Sequence, residues 1–277
     1  MPRLGLGLGL GRASGGAELA GSTLAAVSGP GTFEAVGGAW TLVELLNLYG
    51  SHAIYLCGDG SATYVREDAG NGADGVQVDK WIDQRTTGGT NAVQDTDGKQ
   101  PTLVLDGSDY ALAFDGANSY LECAAWLNSE ASTVTHLVVF RTDDAATSQQ
   151  LTHGAGGNDV IRIVSNELYY SPAGSPYGKI AIDTDDHALI VVFDGTQSGN
   201  ENRLRFWLDG EPVSPTYSGT IPAATGTTPA VRIGANAGNA LEKFAGLIYI
   251  AASIPAALTT AQVAALDATL QEHLSWY

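Results

Sequence analysis

The residues that decide the fold are 187–212, HALIVVFDGTQSGNENRLRFWLDGEP. An apolar, β-branched run comes first, and a polar segment separates it from the alternating pattern RLRFWL. Because successive side chains of a strand point to opposite faces, this alternation predicts a strand with Leu204, Phe206 and Leu208 on one face and the arginines on the other. Each run ends in Asp-Gly, a dipeptide that supplies the positive φ of tight hairpin turns. The stretch therefore predicts two antiparallel strands joined by a polar loop.

The composition of the whole chain favours a protein made of many short strands. Of the 277 residues, 35 are glycine and only 16% are charged, which argues against disorder or a helical bundle. Asp and Glu number 30 against 13 Lys and Arg, so the net charge is −17. Such a charge repels phosphate backbones, and we expect no nucleic-acid partner. No apolar run approaches the ~20 residues of a membrane helix, so we expect no membrane insertion.

The chain has two cysteines, Cys57 and Cys123. They can pair only if their Cα atoms come within about 7 Å, which nothing in the sequence indicates. Two thiols in a chain of this length do not make a disulfide framework. We therefore expect both cysteines to be free and buried, with a disulfide as the alternative.

Residues 1–38 form a low-complexity arm that begins MPRLGLGLGLGR. This start is too rich in glycine for a cleaved signal peptide. An extended arm would show leucine on one face and bare backbone on the other, and it cannot bury enough surface to fold alone. It can add as a strand to a neighbouring protein, so we interpret it as a docking arm, with an untethered tail as the alternative. The predicted docking residues are Leu4, Leu6, Leu8 and Leu10.

Residues 39–277 are predicted to form one β-sandwich domain. The run 134–141, VTHLVVFR, is largely apolar without alternation, as expected for a strand that is buried on both faces. The segment 40–49 fits a short helix or a strand. The chain ends in a helix over residues 260–274, which begins with a capping box at Thr259 and carries an apolar stripe that should lie on the sandwich.

Three segments of this sequence resemble the concanavalin A-like, laminin G-type jelly-roll family, and the resemblance covers roughly residues 52–277. They are VDKWIDQ…NAVQ…KQPTLV…LAFDGANSYLE, HALIVVFDG…RLRFWLDG and VRIGAN…KFAGLIYIAASIPAALTTAQVAALDATLQEHL. The resemblance implies an all-β, two-sheet antiparallel jelly-roll sandwich of about a dozen strands. Domains of this kind often occur on phage virion proteins and on bacterial surface proteins, frequently as carbohydrate binders.

Glycan-cleaving members of that superfamily carry paired carboxylates on one strand, typically as Glu-x-Asp-x-Glu. Retaining hydrolysis needs two carboxyl groups ~5 Å apart. No glutamate of this chain has an aspartate two residues further on, and Ser, His and Asp do not form a nucleophile-elbow pattern. We therefore expect no catalytic residues and no enzyme activity.

Sugar binding needs an aromatic platform with amide or charged groups beside it. The stretch LYYSPAGSPYG places three tyrosines in a segment rich in Pro, Gly and Ser, which we interpret as a binding loop. Trp207 and Arg205 lie on the strand face opposite Phe206, although core packing is the commoner role of a strand aromatic and is expected for Trp81 and Trp126. The candidate carbohydrate-binding residues are Tyr169, Tyr170, Tyr177, Trp207 and Arg205.

Two segments, DTDG and DTDD, place carboxylates two residues apart. Calcium takes about 6–8 oxygen ligands, usually from several loops, so these aspartates are candidates. Asp-rich turns are also stable without a metal. The candidate ligands are Asp95, Asp97, Asp183 and Asp185. Calcium is the single cofactor that the sequence suggests.

The sequence thus favours a non-enzymatic structural protein on the surface of a phage or phage-like particle, as a head decoration or spike. Residues 1–38 would dock it to other virion proteins. We expect the protein to form a homo-oligomer on the particle, with the sandwich in contact with host polysaccharide. The missing signal peptide agrees with a virion protein that is made in the host cytoplasm. The alternatives are a tail-fibre or baseplate adhesin, a bacterial carbohydrate-binding module and a glycan-active enzyme.

Overall fold

A computed structural model of the chain describes residues 41–51, 53–58, 65–67, 75–86, 89–124, 130–227, 230–237 and 242–277. The predicted arm with Leu4, Leu6, Leu8 and Leu10, and also Trp126, lie outside these residues. The described helices are α1 (Leu42–Leu48), α2 (Asn200–Arg203) and α3 (Thr260–His273). The described strands are β1 (Ala53–Leu56), β2 (Val65–Glu67), β3 (Val76–Trp81), β4 (Ala92–Val93), β5 (Thr102–Asp106), β6 (Asp109–Asp115), β7 (Leu121–Cys123), β8 (Thr133–Thr142), β9 (Gln149–Gly154), β10 (Asn158–Val164), β11 (Glu167–Ala173), β12 (Tyr177–Ala181), β13 (Asp186–Asp194), β14 (Leu204–Leu208), β15 (Glu211–Val213), β16 (Thr216–Ser218), β17 (Val231–Ile233) and β18 (Ala245–Ile254).

The strands form two antiparallel sheets. Sheet A has the order β15–β14–β13–β8–β18. On its other side, β18 pairs with β6 through its first half and with β1 through its second half, and β5 pairs with β6. Sheet B has the order β2–β3–β4–β7–β17–β9–β10–β11–β12–β16. The strand β3 joins them, because Gln77 pairs with β5 and Trp81 pairs with β4. The all-β sandwich prediction is confirmed, with more strands than the dozen that the resemblance implied.

Residues 187–212 form the predicted pair of strands, since β13 and β14 pair antiparallel. The two Asp-Gly steps differ, however. At the second, Asp209 and Gly210 have φ angles of 52° and 80°, which make the tight turn into β15. At the first, the side chain of Asp194 accepts a hydrogen bond from the backbone N of Thr196 at 3.1 Å, and the chain continues through α2 before it reaches β14. The polar loop therefore contains a short helix that the sequence did not indicate.

Sheet A is the middle layer of the domain, because apolar side chains cover both of its faces. Its inner face packs on sheet B around large buried side chains, among them Trp81, Phe140, Phe193, Phe206 and Phe244. Its outer face packs against α1 and α3, which bury Leu42, Leu46, Val263, Leu266 and Leu270. This explains why the central residues of β8 and β13, 137–140 and 188–193, are apolar on both alternating faces: both faces of these strands are shielded from water.

The helices α1 and α3 both begin with a capping box, in which a threonine side chain and the third residue of the helix exchange hydrogen bonds. Thr41 pairs in this way with Glu44, and Thr259 pairs with Gln262, as predicted. The ambiguous segment 40–49 is therefore helical over α1, and α3 ends one residue earlier than the sequence suggested. None of the described helices is long and apolar enough to cross a membrane.

Both cysteines are free and buried, as predicted. The Sγ atom of Cys123 lies 2.8 Å from the hydroxyl oxygen of Tyr55. Burial raises the pKa of Cys57 well above its usual value, so this thiol stays protonated. The two side chains act as small apolar residues of the core.

Candidate functional site

The described helices α1 and α3 pack on sheet A and leave the outward side of sheet B without a helix. We call the part of this side on β7, β17, β10, β11 and β12 the open face; the residues of β9, between β17 and β10, are all buried. The register places Arg162 on β10 opposite Tyr169 on β11, and Tyr169 opposite Lys179 on β12. Directly opposed residues share one face of a sheet, so these three side chains lie in a row across the open face.

Around this row lies a group that we call the aromatic patch, which consists of Arg162, Glu167, Tyr169, Tyr177 and Lys179. The ring centroids of Tyr169 and Tyr177 are 4.9 Å apart, with the rings tilted by 64°. The Cζ atom of Arg162 lies 5.0 Å, and Nζ of Lys179 5.6 Å, from the centroid of the Tyr169 ring. Tyr169 is enclosed by these neighbours and only 9% exposed, whereas Tyr177 is half-buried. Tyr177 is therefore the aromatic ring that the patch presents to solvent.

The charges of the aromatic patch stabilise each other. Glu167 accepts hydrogen bonds from Lys179 at 2.7 Å and from the hydroxyl of Tyr169 at 2.9 Å. These bonds, with Lys179 contributing most, lower the pKa of Glu167, and the bond to Glu167 raises the pKa of Lys179. Both groups are charged at neutral pH, so the patch offers a carboxylate and an ammonium group beside an aromatic ring.

A mostly buried polar cluster lies next to the aromatic patch, on and above β9. Glu242 accepts hydrogen bonds from Gln150 at 3.0 Å, from Ser148 at 3.0 Å and from Asn236 at 2.6 Å. Burial alone would raise the pKa of Glu242, but these hydrogen bonds outweigh burial and lower it. Sequence reasoning missed this cluster, because Gln150 and Glu242 are 92 residues apart in the chain and only the sheet brings them together.

The predicted binding loop of tyrosines is not a loop. Tyr169 and Tyr170 lie on β11, and Tyr177 begins β12. Neighbouring residues of a strand face opposite sides, so Tyr169 lies on the open face and Tyr170 lies between the sheets. Tyr170 is fully buried, and its hydroxyl donates to Asp159 at 2.9 Å, while Nε2 of His136 lies 2.7 Å from the same carboxylate oxygen. Tyr170 is therefore inaccessible to a sugar, and the candidate site does not include it.

The prediction that Trp207 and Arg205 form a contact surface is wrong. Trp207 is only 6% exposed and belongs to the apolar layer between sheet A and the helices. Arg205 lies with its Cζ atom 5.5 Å from the Trp207 ring centroid and donates to the carbonyl oxygen of Leu258 at 3.2 Å, just before α3. The predicted alternation of faces holds, but the face that carries these two residues is covered by α3.

The four candidate metal ligands lie in two segments, one after β4 and one between β12 and β13. Asp183 accepts a hydrogen bond from the backbone N of Asp185 at 2.8 Å and lies 3.2 Å from Nε2 of His187. Within the described ranges, no group of three or more His, Cys, Asp or Glu side chains is arranged to hold a metal ion. Calcium binding by Asp95, Asp97, Asp183 and Asp185 stays a prediction.

His187 makes the stability of the fold depend on pH. Its Nδ1 lies 2.9 Å from Asp209, and its Nε2 lies 3.2 Å from Asp183. Burial disfavours the charged ring, but the two carboxylates outweigh burial and raise the pKa of His187. Because the pKa of His187 is higher in the folded state than in the unfolded state, protonation of His187 stabilises the fold. This stabilisation is fully present below the unfolded-state pKa of about 6.5 and is lost as the pH rises through the folded-state pKa.

We therefore expect the unfolding free energy to fall as the pH rises from about 6 to about 9, and to fall less in His187→Gln. Urea unfolding of both proteins at several pH values measures this difference. Parallel pH profiles for the two proteins would contradict a charged His187 held by Asp183 and Asp209.

Known proteins resemble this chain in fold. Domain 4 of AbnA, a GH43 extracellular arabinanase from Geobacillus stearothermophilus, in complex with arabinotriose, matches with a TM-score of 0.50 and 17% identity over 78% of this chain and 98% of that chain. A structure of botulinum neurotoxin type C, whose cell entry depends on interaction with two ganglioside molecules, matches with a TM-score of 0.52 and 12% identity over 82% of this chain. This chain spans 53% of the neurotoxin chain. No family model and no curated protein matches the sequence.

Proposed function

We propose that this protein is a non-enzymatic carbohydrate-binding module and that the aromatic patch of the open face binds the sugar. The observation that carries the proposal is the half-buried ring of Tyr177 beside the charged pair of Glu167 and Lys179. An aromatic ring packs against the apolar face of a sugar, and the charged groups bind its hydroxyls. The fold that this chain shares with an arabinanase domain solved with arabinotriose supports the same class of ligand.

Two carboxylates, Glu167 on the open face and Glu242 above β9, support binding without cleavage. A glycosidase needs one carboxylic acid whose pKa is raised so that it can donate a proton. The pKa values of Glu167 and Glu242 are both lowered by the hydrogen bonds that they accept. Each of these residues is therefore suited to accept hydrogen bonds from a ligand and unsuited to act as a general acid.

We expect the full chain to bind a subset of polysaccharides on a glycan array and to release no products from them after prolonged incubation. Binding should be repeated with a chelator, since calcium at Asp95, Asp97, Asp183 or Asp185 would make it metal-dependent. An array without any binding would contradict the proposal, and so would the release of oligosaccharides from a bound polymer.

We also propose that the module is displayed on the surface of a phage or phage-like particle, as a head decoration or spike. The support comes from the sequence: the alternating Leu-Gly arm of residues 1–38 is suited to add as a strand to a neighbouring virion protein. Deleting residues 1–38 should remove the protein from purified particles while circular dichroism still reports a folded sandwich. Unchanged incorporation would overturn the docking role of the arm.

A further inference from the structure

The open face carries a second group of side chains, built around Tyr120, which the aromatic patch does not include. Arg232 on β17 places its Cζ atom 4.5 Å from the centroid of the Tyr120 ring, and Lys243 places Nζ 4.9 Å from the same centroid. Lys99 is anchored beside them, because its carbonyl oxygen accepts a hydrogen bond from the backbone N of Tyr120 at 3.0 Å. We call Lys99, Tyr120, Arg232 and Lys243 the cationic patch.

Three cations, Lys99, Arg232 and Lys243, face two nearby carboxylates, Glu122 and Asp115, at the cationic patch. Arg232 has a partner, since its Nε lies 3.2 Å from Glu122. In the part of the chain that the structure describes, no carboxylate lies within ion-pair distance of Lys99 or Lys243. Burial, together with repulsion by Arg232 and Lys99, lowers the pKa of Lys243, and the charge of Asp115 does not cancel this effect. A bound anion would relieve that repulsion.

The local excess of cations contrasts with the net charge of −17 for the whole chain. At physiological ionic strength, charges further apart than the Debye length of about 8 Å are largely screened. An anion that touches the cationic patch therefore interacts mainly with Lys99, Arg232 and Lys243 and with their neighbours Glu122 and Asp115, and only weakly with distant carboxylates. Lys99 is exposed, and Tyr120, Arg232 and Lys243 are half-buried, so the charged groups are accessible to such a ligand.

We propose that the cationic patch binds the acidic groups, carboxylates or sulfate esters, of an acidic polysaccharide that also contacts the aromatic patch. This inference rests on the proposed function and adds to it the chemical class of the ligand. Arg232 on β17 and Tyr169 on β11 are three strands apart in sheet B, which is about 14 Å. A single monosaccharide cannot reach both patches, and a polysaccharide chain that does so must pass the polar cluster around Glu242, on and above β9.

The test measures binding of the full chain to two matched pairs of polymers at about 0.15 M salt. One pair is polygalacturonic acid and its carboxyl-reduced, neutral form, and the other pair is dextran sulfate and dextran. We expect an acidic polymer to bind more tightly than its neutral counterpart, and the pair that shows the difference identifies carboxylate or sulfate as the group recognised. Lys243→Gln should weaken acidic binding about fivefold, as for the loss of one exposed charge pair, and Lys243→Arg should retain it.

Four outcomes overturn the inference, and they differ in whether the proposed function survives. Equal binding of acidic and neutral polymers, or acidic binding that Lys243→Gln leaves unchanged, refutes the cationic patch and leaves the proposed function intact. Equally tight binding of duplex DNA would show that the cationic patch binds polyanions in general and does not recognise an acidic polysaccharide. Failure to bind any polymer, on these pairs and on the glycan array, removes the proposed function as well.

Discussion

Replacing Trp207 with alanine should lower the unfolding free energy by about 3–5 kcal/mol, the usual cost of truncating a large buried aromatic residue. The side chain is 6% exposed and lies in the apolar layer that attaches α1 and α3 to sheet A. Truncation would leave a cavity under α3 and would deprive Arg205 of the ring that it contacts. Urea unfolding, followed by circular dichroism, measures the change.

A milder substitution at the same position separates a structural role of Trp207 from a role in binding. In Trp207→Phe, which removes less volume and should stay folded, we expect a smaller loss of stability and the wild-type affinity for polysaccharide. A variant with wild-type stability and reduced affinity would show that Trp207 belongs to the binding surface, in contradiction to its position under α3.

Replacing Tyr177 with alanine should weaken polysaccharide binding strongly and change the stability of the fold little. We expect affinity for a bound polysaccharide to fall about thirtyfold, which corresponds to the 2 kcal/mol typical of an aromatic anchor at a binding site. The unfolding free energy should change by only about 1 kcal/mol, since Tyr177 is half-buried and its ring packs against the Tyr169 ring at a tilt of 64°. Isothermal titration and urea unfolding measure the two quantities.

The matched control for Tyr177→Ala is Tyr110→Ala. Tyr110 is also a half-buried tyrosine on a strand, but it lies on β6 of sheet A. The control should leave the affinity unchanged. If both variants lose affinity equally, the loss reflects general destabilisation and the aromatic patch is not the binding surface.

The layered fold could be predicted where local pattern and burial coincide. Residues 137–140 of β8 are apolar on both alternating faces because β8 lies in the middle layer, between sheet B and the helices. The capping box at Thr259 marks the start of α3, because the hydrogen bonds that form it join residues only three positions apart. Both patterns are formed by residues that are close together in the sequence, so they can be recognised without knowledge of the fold.

The candidate site could not be predicted in the same way, because sheet register assembles it. Arg162, Tyr169 and Lys179 come from three strands and become neighbours only through their pairing. Sequence reasoning did select Tyr169 and Tyr177, from the clustering of tyrosines, but it could not tell that Tyr170 points into the core. It also selected Trp207, because alternation defines two faces of a strand without showing which face a helix covers.

The most direct test of polysaccharide binding by the open face is a crystal structure of the full chain with an oligosaccharide of a polymer that it binds. We expect a sugar ring in contact with Tyr177, within about 4.5 Å of its ring atoms, and hydrogen bonds between the sugar hydroxyls and Glu167 or Lys179. An oligosaccharide bound elsewhere, over α3 or in the turns at the ends of the sandwich, with the aromatic patch empty, would contradict this expectation.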